Sequence, residues 1–303
     1  MKLKIFISFN IKEGTNNFFK DFFIVNNKKD IAEEFEKPYP LFRNFKLDFH
    51  DPLLNNSRKF LKRYAENWGE RIDYEFDKEE LDSCKLLTFG GLRYPKIFAG
   101  PETGTKYDLT NACKRCGSGA IQVGPLRIRP SDLKKLDVQN GIYWHVIISK
   151  RLRDLFLKEN VSGVEFREIT SKIDSKGLNY YQIIPKYNLP PSLPSSFEID
   201  NQCPVCKRDG YFDGHIEGEP KILKYKLSED TLNKADFFFS YELLGYSILR
   251  KPFEKSIFNQ PKVLVIPKIF KIVSKLKIKE AGFYPVIVNN LPNIEKWKEE
   301  SKK

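Results

Sequence analysis

Two Cys-x-x-Cys turns, Cys113-Lys114-Arg115-Cys116 and Cys203-Pro204-Val205-Cys206, carry the most specific chemistry in this chain, and 86 residues lie between them. Each turn can present two sulfurs to one ion. Together they supply the four thiolates that close a tetrahedral zinc site with bonds of about 2.3 Å. A set of four cysteines leaves no coordination position for water or substrate, so the expectation is a structural Zn2+ held by Cys113, Cys116, Cys203 and Cys206. The residue after the second cysteine often takes positive φ, which favours glycine. Gly117 stands there in the first turn and Lys207 in the second, with Gly210 further on, so the second turn is expected to be less regular. A thioredoxin-like reading is weaker, because neither pair sits at a strand-to-helix junction of a βαβ unit.

The fifth cysteine, Cys84, reads as a partly buried apolar residue. Of the three histidines, His215 follows the second turn and is the one substitute ligand to consider. His145 reads as structural and His50 as a turn residue. There is no Gly-x-Ser-x-Gly elbow and no His-Glu-x-x-His. Paired carboxylates such as Glu33-Glu34 and Glu79-Glu80 sit in Lys-rich settings typical of solvated faces. No catalytic set stands out, and the chain reads as a non-enzyme.

The charge of +12 admits an acidic partner, but Lys is interleaved with Asp and Glu throughout, as a solvated surface would have it. Few cysteines in 303 residues exclude a secreted disulfide scaffold. The first eight residues are too short an apolar stretch for a signal peptide. The longest apolar run, Phe237 to Leu249, contains Glu242 and is too short to span a bilayer. The expectation is a cytoplasmic protein in a reducing compartment, with no membrane partner.

The elements that must position the cysteines show an internal repeat. Residues 146–169 and 263–286 align without a gap at an offset of 117. Val146-Ile147-Ile148 matches Val263-Leu264-Val265; Leu152, Leu155 and Phe156 match Ile269, Ile272 and Val273; Phe166 matches Phe283. Each copy reads as a buried strand, an amphipathic helix and a second strand. Ser149 is placed to cap the first helix and Pro267 to open the second. Gly163 follows the first helix as a stop; Glu280 replaces it in the second copy, where the exit is expected to differ.

Before the repeat, Met1 to Ser8 alternates as a strand, and Phe18 to Val25 is a second apolar run. Asp30 to Lys37 reads as a short helix. Ser57 to Trp68 reads as a longer one, capped at Asn55–Ser57 and stopped by Gly69. Gly90-Gly91 and Gly100 to Gly104 read as turns. Pro185 to Pro194 is the linker candidate, and residues 293–303 a charged tail. The fold class expected is α+β: two related strand–helix–strand lobes joined by a four-cysteine, zinc-ribbon-like element, with a mixed N-terminal region. The divisions fall at 1–104, 105–184 and 185–303.

With the two cysteine pairs and the repeat in view, the chain resembles the double-CXXCG motif family, related to immunity proteins of bacterial polymorphic toxin systems. The resemblance is carried by Cys113 to Gly119, Val123 to Ile128, Ile147 to Leu152, Val161 to Phe166, Cys203 to Cys206 and the segment from Asp236 to Val286. It departs at Lys207, where the family has glycine. What it implies is a non-enzymatic protein that binds and neutralises a cognate toxin protein, and a basic inhibitor would be steered to an acidic toxin. The alternative is a zinc-ribbon nucleic-acid binder, for which Lys114-Arg115 and Lys207-Arg208 are the support.

Overall fold

The computed structural model describes all of the chain but residues 1, 13–14, 34, 36–41, 49–50, 93–96, 194–197, 200, 213–222 and 290–303. His50, His215, the stop expected at Pro38 and the tail at 293–303 lie outside the described residues. The fold is α+β, and the chain divides into two compact units, the first running to Asp77 and the second beginning at Lys78. The first boundary therefore falls well before residue 104.

In the smaller unit, strand β1 (Lys2–Ile11) lies between β2 (Phe42–Asp48) and β3 (Ala65–Glu75), both antiparallel to it. Helices α1 (Asn16–Val25), α2 (Lys29–Glu33) and α3 (Leu53–Tyr64) belong to the same unit. Ile5, Ile7, Phe9 and Ile11 alternate along β1 and pack with Phe19, Phe23, Phe45 and Leu61 in one core. The long helix expected at Ser57–Trp68 starts and stops four residues earlier. Asp51 accepts a hydrogen bond from the Leu53 backbone N–H at 2.9 Å and opens the helix there. Ala65 is already extended, with φ −88° and ψ 149°. Trp68 and Gly69 lie inside β3, paired with Phe9 and Ser8, so Gly69 is not a helix stop.

The larger unit opens with α4 (Lys78–Ser83) and β4 (Leu86–Gly91). Its first half then runs β5 (Lys106–Asp108), β6 (Ile121–Val123), β7 (Arg127–Ile128), β8 (Val138–Asn140), β9 (Val146–Ser149), α5 (Lys150–Lys158), β10 (Val164–Ser171) and β11 (Gly177–Pro185). The second half runs β12 (Glu198–Ile199), β13 (Tyr211–Phe212), β14 (Lys224–Tyr225), α6 (Glu229–Leu232), β15 (Phe237–Leu243), β16 (Pro261–Val265), α7 (Pro267–Lys275) and β17 (Ala281–Val288). The offset of 117 carries α5 onto α7 and β10 onto β17 residue for residue.

The two five-stranded sheets are ordered β7-β10-β11-β9-β8 and β14-β17-β4-β16-β15, and β5-β6 and β12-β13 form two-stranded sheets. Each has a parallel pair at one edge and antiparallel pairs elsewhere. Position by position, the registers agree. Val164 pairs with Pro185 in one sheet, and its counterpart Ala281 pairs with Gly91 in the other. The central strand thus comes from after the repeat in the first half and from before it in the second. Gly90 and Gly91 are strand residues rather than a turn. A Cβ on Gly90 would lie 3.1 Å from Asn140 Oδ1, and one on Gly91 would lie 3.2 Å from Gln139 Cα.

Both helices begin as their sequences require. Ser149 Oγ accepts from Leu152 N at 3.2 Å, and Pro267 opens α7. Their last turns end alike, but the exits differ as expected, since Gly163 is left-handed at φ 72° and Glu280 is not. Asn160 and its counterpart Lys277 both turn left-handed, at φ 50° and 52°. Gly163 instead serves a close approach, since a Cβ there would meet Ala235 Cβ at 2.3 Å.

The halves hold each other reciprocally. Asp137 pairs with Arg151 while its backbone N–H donates to Glu280 Oε1 at 2.7 Å. The matching Asp236 pairs with Lys268 at 3.0 Å and accepts from Ser162 N at 2.7 Å. The linker candidate is pinned rather than free: Tyr187 O accepts from Phe239 N, Leu189 N donates to Phe239 O, and Leu189 is buried. Among the described residues no helix is long and apolar enough to cross a membrane.

Candidate metal centre

Each half contributes one knuckle. The loop between β5 and β6 carries Cys113 and Cys116, and the loop between β12 and β13 carries Cys203 and Cys206. Both loops close with the same backbone bond: Gly117 N donates to Cys113 O at 2.7 Å, and Lys207 N donates to Cys203 O at 3.1 Å. Gly117 has φ 77° and Lys207 has φ 54°, so the second knuckle adopts the regular left-handed turn despite its side chain. The expectation of a less regular second knuckle is corrected in this respect.

The knuckles differ in what holds their first cysteine. Cys113 N donates to the Ser118 carbonyl at 2.9 Å, whereas Cys203 N donates to Asp209 Oδ1 at 3.2 Å. Asp209 is buried, and Ser118 Oγ lies 3.1 Å from Cys116 Sγ. Neither residue was singled out from sequence. The one signal for Asp209 is an acidic side chain three residues beyond the second cysteine, in a loop that needs a backbone partner.

The four sulfurs converge. Cys113 Sγ is 3.9 Å from Cys203 Sγ, Cys116 Sγ is 3.4 Å from Cys206 Sγ, and all four lie within 4.8 Å of one another. A tetrahedron with zinc–sulfur bonds of about 2.3 Å has sulfurs about 3.8 Å apart, which this set approaches. Burial pushes the Cys203 thiol up, but the backbone N–H groups of Cys206 and Val205 together with the neighbouring Cys116 and Cys206 sulfurs bring it down to about 7. Burial carries Cys116 above the ordinary thiol range. Four cysteine sulfurs gathered in this way form a set that could hold a metal ion.

The other residues considered stand apart. Cys84 is buried and its thiol donates to the Glu80 carbonyl at 3.2 Å. His145 is 3% exposed, and burial lowers it to about 3, so it is a neutral core residue. Lys114, Arg115 and Lys207 are exposed on the knuckles. Arg208 is engaged: its guanidinium donates to the Tyr241 carbonyl at 3.1 Å and lies 4.7 Å from the Tyr241 ring centre. No protein-family model matches this chain, and no curated protein matches it either.

Proposed function

We propose that the four cysteines hold a structural zinc ion and that the chain is a non-enzymatic immunity-type protein of the double-CXXCG kind, which binds and neutralises a cognate toxin protein. The observation that carries this reading is the closed donor set. Two knuckles from opposite halves of the larger unit bring four sulfurs within 4.8 Å of one another, the number of donors a tetrahedral ion takes. A metal held this way ties remote segments together and offers no position to a substrate. Such a body suits inhibition by a pre-organised surface, in which a few anchors supply most of the affinity. Cysteines stay reduced, and so able to take up a metal, in a reducing compartment, which supports a cytoplasmic location.

The test has two parts. Metal analysis of protein purified under reducing conditions is expected to give one zinc per chain. Co-expression with the product of the adjacent gene is expected to protect cells from it, and the two proteins to co-elute at equal stoichiometry. A chain that carries zinc but neither protects nor co-elutes removes the immunity reading and leaves the metal reading standing.

The nucleic-acid alternative has the exposed Lys114, Arg115 and Lys207 in its favour. The engagement of Arg208 with Tyr241 weakens it, because that cation is already committed within the fold. Binding to single-stranded oligonucleotides that fell steeply with added salt would favour it.

A further inference from the structure

We propose that the groove between α1 and α3 of the smaller unit is a self-complementary surface through which two copies of this chain pair about a two-fold axis. The groove is a cavity of about 260 Å³ lined by Phe18, Asp21, Phe22, Val25, Phe60 and Tyr64 among its residues. Its floor is aromatic. Phe22 stacks on Phe60 with ring centres 4.3 Å apart, and Phe18 lies 5.6 Å from Tyr64. Two apolar side chains stand out of it into solvent, Phe18 at 53% and Val25 at 79% exposure. The unit's own core is complete without them, since α1 turns Phe19 and Phe23 inward. One face therefore carries both apolar knobs and an apolar recess.

The rims identify the occupant. Asp21 lines the groove on the α1 side; on the α3 side the exposed Lys59 and Arg63 adjoin the lining residues Phe60 and Tyr64 in sequence, with the Arg63 guanidinium 5.2 Å from the Tyr64 ring centre. The ring contacts also give the level of each residue along the groove. Phe18 is beside Tyr64 and Phe22 beside Phe60, so the helices run antiparallel and Asp21 is level with the stretch between Lys59 and Arg63. A two-fold axis parallel to the groove lays each α1 over the α3 of the second copy. That operation sets Asp21 opposite Lys59 and Arg63 of the other copy, twice, and sets Phe18 over Tyr64. An isologous contact needs this self-complementarity of shape and charge. A partner of single charge would face one matching rim and one opposing rim.

The experiment is sedimentation equilibrium of the full chain from about 1 to about 200 µM, a span that brackets weak self-association. The expected result is a mass rising from 35.5 kDa towards twice that value. Phe18→Asp and Val25→Glu each place a charge in the apolar contact and are expected to weaken pairing by roughly thirtyfold or more. Both sites are exposed, so unchanged circular dichroism and melting confirm that each variant is folded. Asp21→Lys alone, or Lys59→Glu with Arg63→Glu, is expected to weaken pairing several-fold, and all three together to restore it. A monomer at every concentration overturns the proposal, whether another protein or a segment of the same chain then covers the groove. Pairing that persists in the Phe18→Asp and Val25→Glu variants overturns it too, as does failure of the charge exchange to restore pairing.

Discussion

Gly117 and Lys207 occupy the same place in the two knuckles, and their difference can be measured. Both are left-handed, but only glycine takes that conformation without cost. Lys207→Gly is expected to stabilise the protein by about 1 kcal/mol, because it removes the Cβ penalty and keeps the N–H that Cys203 O accepts. The melting temperature should rise by roughly 2 °C. Gly117→Ala should do the reverse and more. Its Cβ would lie 2.7 Å from Leu249 Cδ2 and 2.8 Å from Phe258 Cε1, both on the segment packed behind the first knuckle. His145 makes a different prediction at the same scale. Its folded pKa of about 3 lies below its ordinary value of 6.5 because burial disfavours the imidazolium. The unfolded chain therefore takes up a proton first as pH falls. The His145 contribution is whole above pH 6.5 and is lost between there and about pH 3, at about 1.4 kcal/mol per unit. Denaturant unfolding at pH 7 and pH 5.5 should differ by roughly that amount, and His145→Gln should flatten the difference.

The role of β4 gives the prediction at the scale of elements. It is the central strand of the second sheet, paired on both sides, although it precedes the whole repeat in the chain. Leu86 and Leu87 are fully buried, and each contributes about 2 kcal/mol through burial alone. A fragment beginning at Lys78 keeps this strand and should fold. One beginning at Leu92 leaves β16 and β17 without the strand between them and should be recovered aggregated, as solubility and circular dichroism would reveal. The same strand marks how far the sequence could be read. The repeat was legible because helices and flanking strands keep apolar residues at matched positions: Leu152 with Ile269, Phe166 with Phe283. The equivalence of Leu86–Gly91 to the end of β11 was not, because Leu-Leu-Thr-Phe-Gly-Gly and Tyr-Tyr-Gln-Ile-Ile-Pro share register and no side chains. A strand is chosen by its neighbours, and sequence spacing does not report them. Trp68 failed in the opposite direction: it continues the helical spacing of Phe60 and Tyr64 and yet pairs with Phe9 in a strand. The convergence of the four cysteines was legible because metal chemistry demands particular residue types at short spacing. Asp209 and Ser118 were not, because their roles depend on loop geometry.

At the scale of the molecule, the four-cysteine cluster belongs to one unit and the aromatic core around Phe9 to the other. The sulfurs come from loops preceding β7 in one half and β14 in the other, so an ion held there would cross-link the two halves in addition to their reciprocal bonds. Binding that requires the folded arrangement stabilises it by mass action, and a closed thiolate site can supply on the order of 10 kcal/mol. Removal of the metal under reducing conditions should therefore act on the larger unit. The measurement is amide hydrogen exchange before and after treatment with a strong zinc chelator. Protection should collapse first at Cys113–Gly117 and Cys203–Lys207, and then fall in β15 and β16, whose packing follows the second knuckle through the Leu243 N–H bond to Arg208 O. Protection in β1, at the centre of the smaller unit's sheet, should stay as it was. Cys206→Ser should reproduce the chelated pattern and bind well under one metal per chain. Equal loss of protection in β1 would mean that the metal stabilises the chain as a whole rather than the duplicated body that supplies its ligands.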